Sequence, residues 1–263
     1  MRLRLDCQWW RLLAGCFALL LVPPAAAEPA PASADCVVLL HGLGRTGLSM
    51  LDMSWALQRA GYRVENISYP SLFYPIEQVA DIALEAGLAG CRSRSPGSGI
   101  ARGNDTARHN SAPRIHIVTH SLGGILVRQY LQQHVIAELG RVVMLGPPNQ
   151  GSTLADYVYS FSWLHWLAPP AIEQLGTGIA SVPRHLGPVQ FELGVIAGTL
   201  RWRLPLPGAP PLPSDGTVAV SETRVAGMTD FIAMPASHTF MMWNAGVQAQ
   251  VMHFLRYGRF AIE

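Results

Sequence analysis

Apolar residues along this chain alternate between two textures. Short unbroken runs, of which Cys36-Val37-Val38-Leu39-Leu40 is the first, suit central parallel strands buried on both faces. Between such runs, apolar residues recur every three or four positions, as in helices with one buried face. The first run ends in His41-Gly42-Leu43-Gly44-Arg45-Thr46-Gly47, after which a helix is expected with Leu48, Leu51 and Trp55 along one face, ending near Gly61. Residues 62–67 read as a second strand, stopped by Tyr69-Pro70. Pro75 opens a second helix, in which Ile76, Val79, Ala83 and Ala86 share a face. From 92 to 113 the periodicity gives way to Ser, Gly, Arg and Asn, which predicts a mobile, locally basic surface loop.

A third run (Ile115, Ile117, Val118) turns at once, through Thr119-His120-Ser121-Leu122-Gly123-Gly124, into helical spacing over 125–131. Strands follow at 141–145, 192–198 and 231–234, and a last helix carries Val247, Val251, Phe254 and Leu255 on one face. Between 154 and 190 an aromatic stretch broken by proline precedes a helical patch around 172–175. The order β-α-β-α-β-α-β, a variable segment, then β-loop-β-α predicts an α/β fold: a mostly parallel sheet with helices on both faces. No repeat or linker divides residues 36–263, which read as one domain with 154–190 as a candidate lid or cap.

Composition sharpens this picture. With 263 residues, 49% of them hydrophobic and 14% charged, the chain has ample material for one large core. All basic residues are Arg. Apart from Arg2, Arg4, Arg11 and Asp6 the charges cancel, so no basic stripe points to nucleic acid. Those three arginines, the apolar stretch 12–22 and Ala25-Ala26-Ala27 form a signal peptide over 1–27, followed by a Pro/Ala-rich leader over 28–35. Export to the periplasm or beyond is the expectation. A rival reading takes Leu13-Ala14-Gly15-Cys16 as a lipobox and Cys16 as a lipid anchor, although apolar residues continue after it. Once the signal is removed, Cys36 and Cys91 remain, either as a disulfide or as two thiols. Two cysteines are too few to suggest a zinc site.

Chemistry gathers where strands end. In such a sheet, sites form at the carboxyl ends of strands. His41-Gly42-Leu43 follows the first strand, Ser121 the third, Ser214-Asp215-Gly216 the fifth and Ser237-His238-Thr239 the sixth. A strand turning sharply into a helix with serine at the apex is the context of a nucleophile elbow. Gly123 supplies the small neighbour that such a turn requires, while Thr119 stands where the G-x-S-x-G pattern has its first glycine. An ordinary helix-capping serine is the alternative. Serine needs a base to take its proton, and imidazole suits that role. Of the nine histidines, His238 is the candidate base. His41 and His120 are placed to shape the site, His116 lies within a strand, and His253 sits on the last helix. Asp215, in a turn, is the candidate acid; its rivals are Glu222 and Asp230, the latter at the wrong edge of the sheet. The N–H groups of Leu43 and Leu122 are the candidate oxyanion donors.

Together His41-Gly42, Thr119-His120-Ser121-Leu122-Gly123-Gly124, Asp215-Gly216 and Ser237-His238 resemble the α/β-hydrolase superfamily. Within it the chain resembles the small bacterial lipase and esterase branch and, more distantly, the GPI-inositol-deacylase-like proteins. The resemblance spans roughly 36–260 and implies a minimal six-stranded sheet. It also implies carboxylic ester hydrolysis through an acyl-enzyme, with no metal or organic cofactor. The expected partner is an ester or lipid substrate, with peripheral contact to a lipid surface; oligomeric state stays open. Trp163, Trp166 and Met241 are candidate substrate-binding residues, with packing onto the sheet as the alternative. An acyltransferase or amidase would use the same triad, and a non-catalytic binding protein is the rival from another class.

Overall fold

The computed structural model describes residues 35–93, 113–164, 166, 168–201 and 207–261. The expected signal peptide, the lipobox cysteine, most of the leader and nearly all of the 92–113 loop lie outside the described residues. Six strands form one parallel sheet: β1 (Cys36–Leu40), β2 (Arg63–Ile67), β3 (Ile115–His120), β4 (Leu139–Leu145), β5 (Leu193–Gly198) and β6 (Asp230–Met234), in the spatial order β2-β1-β3-β4-β5-β6. The helices are α1 (Leu51–Arg59), α2 (Ile76–Ser93), α3 (Leu122–Gln133), α4 (Thr153–Tyr159), α5 (Pro170–Gln174), α6 (Val182–His185), α7 (Val220–Thr223) and α8 (Ala245–Tyr257).

Alternation along β1 builds two cores. Val37 and Leu39 face α1 and α8, where Met53, Leu57, Val247, Val251 and Phe254 pack. Val38 and Leu40 face α2 and α3, against Ile76, Val79, Leu84, Leu88, Ile125 and Leu126. This is the architecture of the α/β-hydrolase fold, with both faces of a six-stranded parallel sheet covered.

Two helix faces differ from the sequence reading. Leu48 and Trp55 are 72% and 52% exposed, whereas Met50, Met53 and Leu57 are buried. A 3₁₀ turn at Gly47–Met50 precedes α1 and rotates its buried stripe onto the methionines. In α2 the buried stripe runs through Ile76, Val79, Ala80, Ala83, Leu84, Gly87, Leu88 and Cys91, which leaves Ala86 exposed.

Cys36 at the start of β1 is joined to Cys91 near the end of α2, with Cα atoms 5.8 Å apart. Asp35, the last residue of the expected leader, is tied into the sheet: its carboxylate accepts from the Arg114 N–H at 2.9 Å and its carbonyl from the Arg63 N–H at 3.1 Å.

Candidate active site

The carboxyl edge of the sheet brings three loops together around Ser121. The residue joins β3 to α3 with φ 53° and ψ −121°, and no other non-glycine among the described residues has positive φ. Such a conformation costs on the order of 1–3 kcal/mol, and persists only where the surroundings enforce it. Here they do: the Ser121 N–H donates to the Leu145 carbonyl at 2.9 Å, and its carbonyl accepts from the Gly124 N–H at 3.0 Å. Gly123 lets the turn close on β1, because a Cβ there would sit 2.9 Å from the Leu40 carbonyl oxygen. Thr119 is accommodated fully buried, in register between Leu40 of β1 and Met144 of β4, where a branched side chain suits the pleat.

His238 opens the 3₁₀ turn that follows β6, and its backbone N–H donates to the Asp215 carbonyl at 3.0 Å. Its Nδ1 lies 2.7 Å from Asp215 Oδ2. The other carboxylate oxygen accepts from the N–H groups of Thr217 (2.9 Å) and Val218 (2.8 Å). Three donors thus converge on a carboxylate that is 1% exposed, which fixes its orientation. An acceptor at Nδ1 selects the tautomer that leaves Nε2 free to take a proton. Gly146, at the end of β4, makes room for the pair: its φ is +54°, and a Cβ there would meet Asp215 Oδ2 at 2.9 Å and His238 Nδ1 at 3.1 Å.

Neither rival acid reaches His238. Glu222 takes the N–H and hydroxyl of Thr153 and the Ala219 N–H, so it fastens α4 to the turn before α7. Asp230, at the amino end of β6, accepts from the N–H groups of Phe231 and Phe260.

His41 and His120 hold the frame. Nε2 of His41 accepts from the Tyr69 N–H at 3.2 Å, so the proton sits on Nδ1, which donates to the Gly42 carbonyl at 2.8 Å. Its ring stacks on Tyr69 at 3.8 Å, and the Tyr69 hydroxyl donates to the His41 carbonyl. His120, fully buried, donates from Nε2 to the His238 carbonyl at 3.0 Å. Burial pushes both imidazoles below the usual histidine range, His120 strongly, so both rings are neutral and act as fixed braces. The loop carrying Leu43 is pinned further by the Gly44 N–H donating to Ser71 Oγ at 3.0 Å.

Ser121 and His238 line one cavity of about 260 Å³. Its apolar lining is Leu154, Ala155 and Val158 of α4 with Ile172 and Leu175 around α5; Leu43 and Arg45, from the loop after β1, also line it. The anticipated aromatic lining is corrected here. Trp163 and Trp166 are 67% and 80% exposed and do not line this cavity, because α4 turns its aliphatic face inward instead. Met241 is fully buried beneath the end of β5, where a Cβ on Gly198 would lie 2.7 Å from its methyl group, so it belongs to the core. The helical spacing of 154, 155 and 158 is the sequence signal for this wall, and the adjacent aromatic run masks it. Among the described residues, no cluster of three His, Cys, Asp or Glu side chains could hold a metal ion.

No protein-family model and no curated protein matches the chain. Solved structures do. The mature lipase BlEst2 from Bacillus licheniformis superposes with a TM-score of 0.63 at 20% identity, over 88% of this chain and 96% of that one. Phospholipase PlaB from Legionella pneumophila matches with a TM-score of 0.59 at 16% identity, over 84% of this chain and 58% of that one. The esterase Pf2001 from Pyrococcus furiosus gives 0.54 at 18% identity, over 84% and 81%. These lipase and esterase neighbours and the all-parallel six-stranded sheet establish that the chain has the α/β-hydrolase fold.

Proposed function

We propose that the chain is an exported serine hydrolase that cleaves carboxylic esters of lipid or acyl type through an acyl-enzyme on Ser121. The observation that carries this reading is the Asp215–His238 contact of 2.7 Å beside a strained serine that opens on the same cavity. As Ser121 Oγ attacks the ester carbonyl carbon, His238 Nε2 takes the hydroxyl proton. Asp215 holds the ring and stabilises the imidazolium without taking the proton itself. The oxyanion accepts from the N–H groups of Leu122, at the amino end of α3, and of Leu43; losing one such donor costs about 3 kcal/mol of barrier. His238 then gives its proton to the departing alcohol oxygen, and water repeats the sequence in reverse to release the acid. The α4–α5 wall receives the acyl chain, and the lipase, esterase and phospholipase neighbours support an ester substrate. Export rests on the segment 1–27.

Labelling with a serine-directed alkyl phosphonate tests the proposal. A single adduct is expected, mapping to Ser121 by peptide mass and lost in His238→Ala. A folded protein that stays unlabelled overturns it.

A further inference from the structure

The cavity at Ser121 is lined by residues of two unlike kinds. The α4–α5 part is aliphatic, whereas the loop after β1 places Arg45 on the cavity, the only Arg, Asp or Glu among the residues that line it. Arg45 lies two residues beyond Leu43, and its backbone N–H donates to the Gly42 carbonyl at 3.3 Å, so it is built into the oxyanion loop. Its guanidinium has no hydrogen-bond or ion-pair partner among the described residues, and the groups that feel its charge, His41 and His120, only oppose it. Other arginines withdrawn from solvent are engaged. Arg63 donates to the Cys91 carbonyl, Arg128 to Asn149, Pro183 and Gly187, Arg141 to Glu192 and Leu255, and Arg201 to Pro210. No Asp or Glu is among the residues that line the cavity, and Asp215 behind it is occupied by His238, Thr217 and Val218. A half-buried guanidinium offers five donors in a planar fork that matches phosphate and carboxylate oxygens. Desolvation already works against its charge, which an anion would relieve.

We propose that Arg45 is a specificity determinant that binds an anionic oxygen group on the alcohol portion of the ester. The preferred substrate is then an acyl ester whose leaving group carries a phosphate or carboxylate. This rests on the hydrolase reading above: the acyl chain takes the aliphatic part, which leaves the charged part to the alcohol side.

The test compares kcat/KM for 1-lauroylglycerol, 1-lauroylglycerol 3-phosphate and O-lauroyl glycolate, each below its aggregation concentration, in wild type, R45Q and R45K. The quantity read is the anionic-to-neutral ratio, so a general effect of the substitution divides out. That ratio should fall about tenfold or more in R45Q, be partly kept in R45K, and shrink in wild type as salt screens the contact. A fall in either anionic arm upholds the proposal, and the larger fall identifies the anion. A ratio unchanged by R45Q, or a wild type that favours the neutral ester, overturns it. Calorimetry of dodecyl phosphate with Ser121→Ala protein reads the same contact without turnover. Adding R45Q should raise Kd about tenfold, and an unchanged Kd overturns the proposal. Absence of turnover on all three esters would instead count against the hydrolase reading.

Discussion

Two cavities lie at opposite edges of the same sheet. The larger, about 530 Å³, sits where β4 and β5 begin and is lined by Leu131, Gln132, Ile136, Leu139, Leu186 and Phe191. The smaller, about 260 Å³, sits at the carboxyl edge with Ser121 and His238. Each borders one arginine, in opposite conditions. At the amino edge, Arg128 is 3% exposed and donates to the carbonyls of Asn149, Pro183 and Gly187 and to the Asn149 side chain, and burial brings its pKa down to about 10. At the carboxyl edge, Arg45 is left with no such partners. The contrast teaches that size does not mark the site. A cation whose donors are spent on backbone carbonyls is a clamp, whereas one left unspent beside a nucleophile is available to a ligand.

The largest expected effect lies at the smaller cavity. Asp215→Asn should leave the circular dichroism unchanged and lower turnover by about 10⁴, because the amide selects the wrong imidazole tautomer. If Glu222→Gln proved the more damaging change, the acid would be misassigned.

Next comes the clamp at the larger cavity. Arg128→Met would strip donors from four buried acceptors, at a cost of about 3 kcal/mol, or about 10 °C in Tm for a domain of this size. Activity of the folded fraction should be unaltered. An unchanged melting curve, or activity lost at full stability, would erase the distinction between the two edges.

A third change probes the aliphatic wall. Val158→Phe should cut kcat/KM for long-chain esters about tenfold more than for acetate, since the added ring occupies acyl space. Leu131→Phe in the other cavity should leave the chain-length profile as it was. Equal responses would show that α4 does not bind the acyl chain.

These predictions depend unequally on what the sequence made legible. Strand runs end within a few residues of their observed limits, most closely at β1 and β5, which are buried along their whole length and therefore read as continuous apolar runs, whereas the edge strand β2 (Arg63–Ile67) is half-buried and mixes polar with apolar residues. The Ser121, Asp215 and His238 positions were legible from turn chemistry after strands, and the structure brings Asp215 onto His238. Faces were harder. A 3₁₀ turn before α1 moved burial from Leu48 and Trp55 to Met50, Met53 and Leu57, an offset that periodicity alone does not contain. Trp163, Trp166 and Met241 failed as lining for a related reason: large apolar residues look alike in sequence whether they face core, cavity or solvent. Gly146 was invisible because its role depends on two side chains distant in sequence.

The smallest effect concerns pH and the frame of the smaller cavity. Burial depresses the pKa of His41 and His120, so below the ordinary histidine value of about 6.5 the unfolded chain binds more protons than the folded one. Their contribution is therefore complete above that pH and lost as pH falls from there through the folded values. Melting temperature should decline over that acid window, and His120→Gln should flatten the decline. A slope unchanged by that substitution would show that His120 is not held neutral.

The most direct measurement of the central claim is hydrolysis of p-nitrophenyl esters from acetate to palmitate by the protein and by Ser121→Ala. The account predicts turnover that rises with acyl length until the α4–α5 wall is filled and that vanishes at every length in Ser121→Ala. Turnover that survives the substitution, or none at any length in the folded protein, would contradict it.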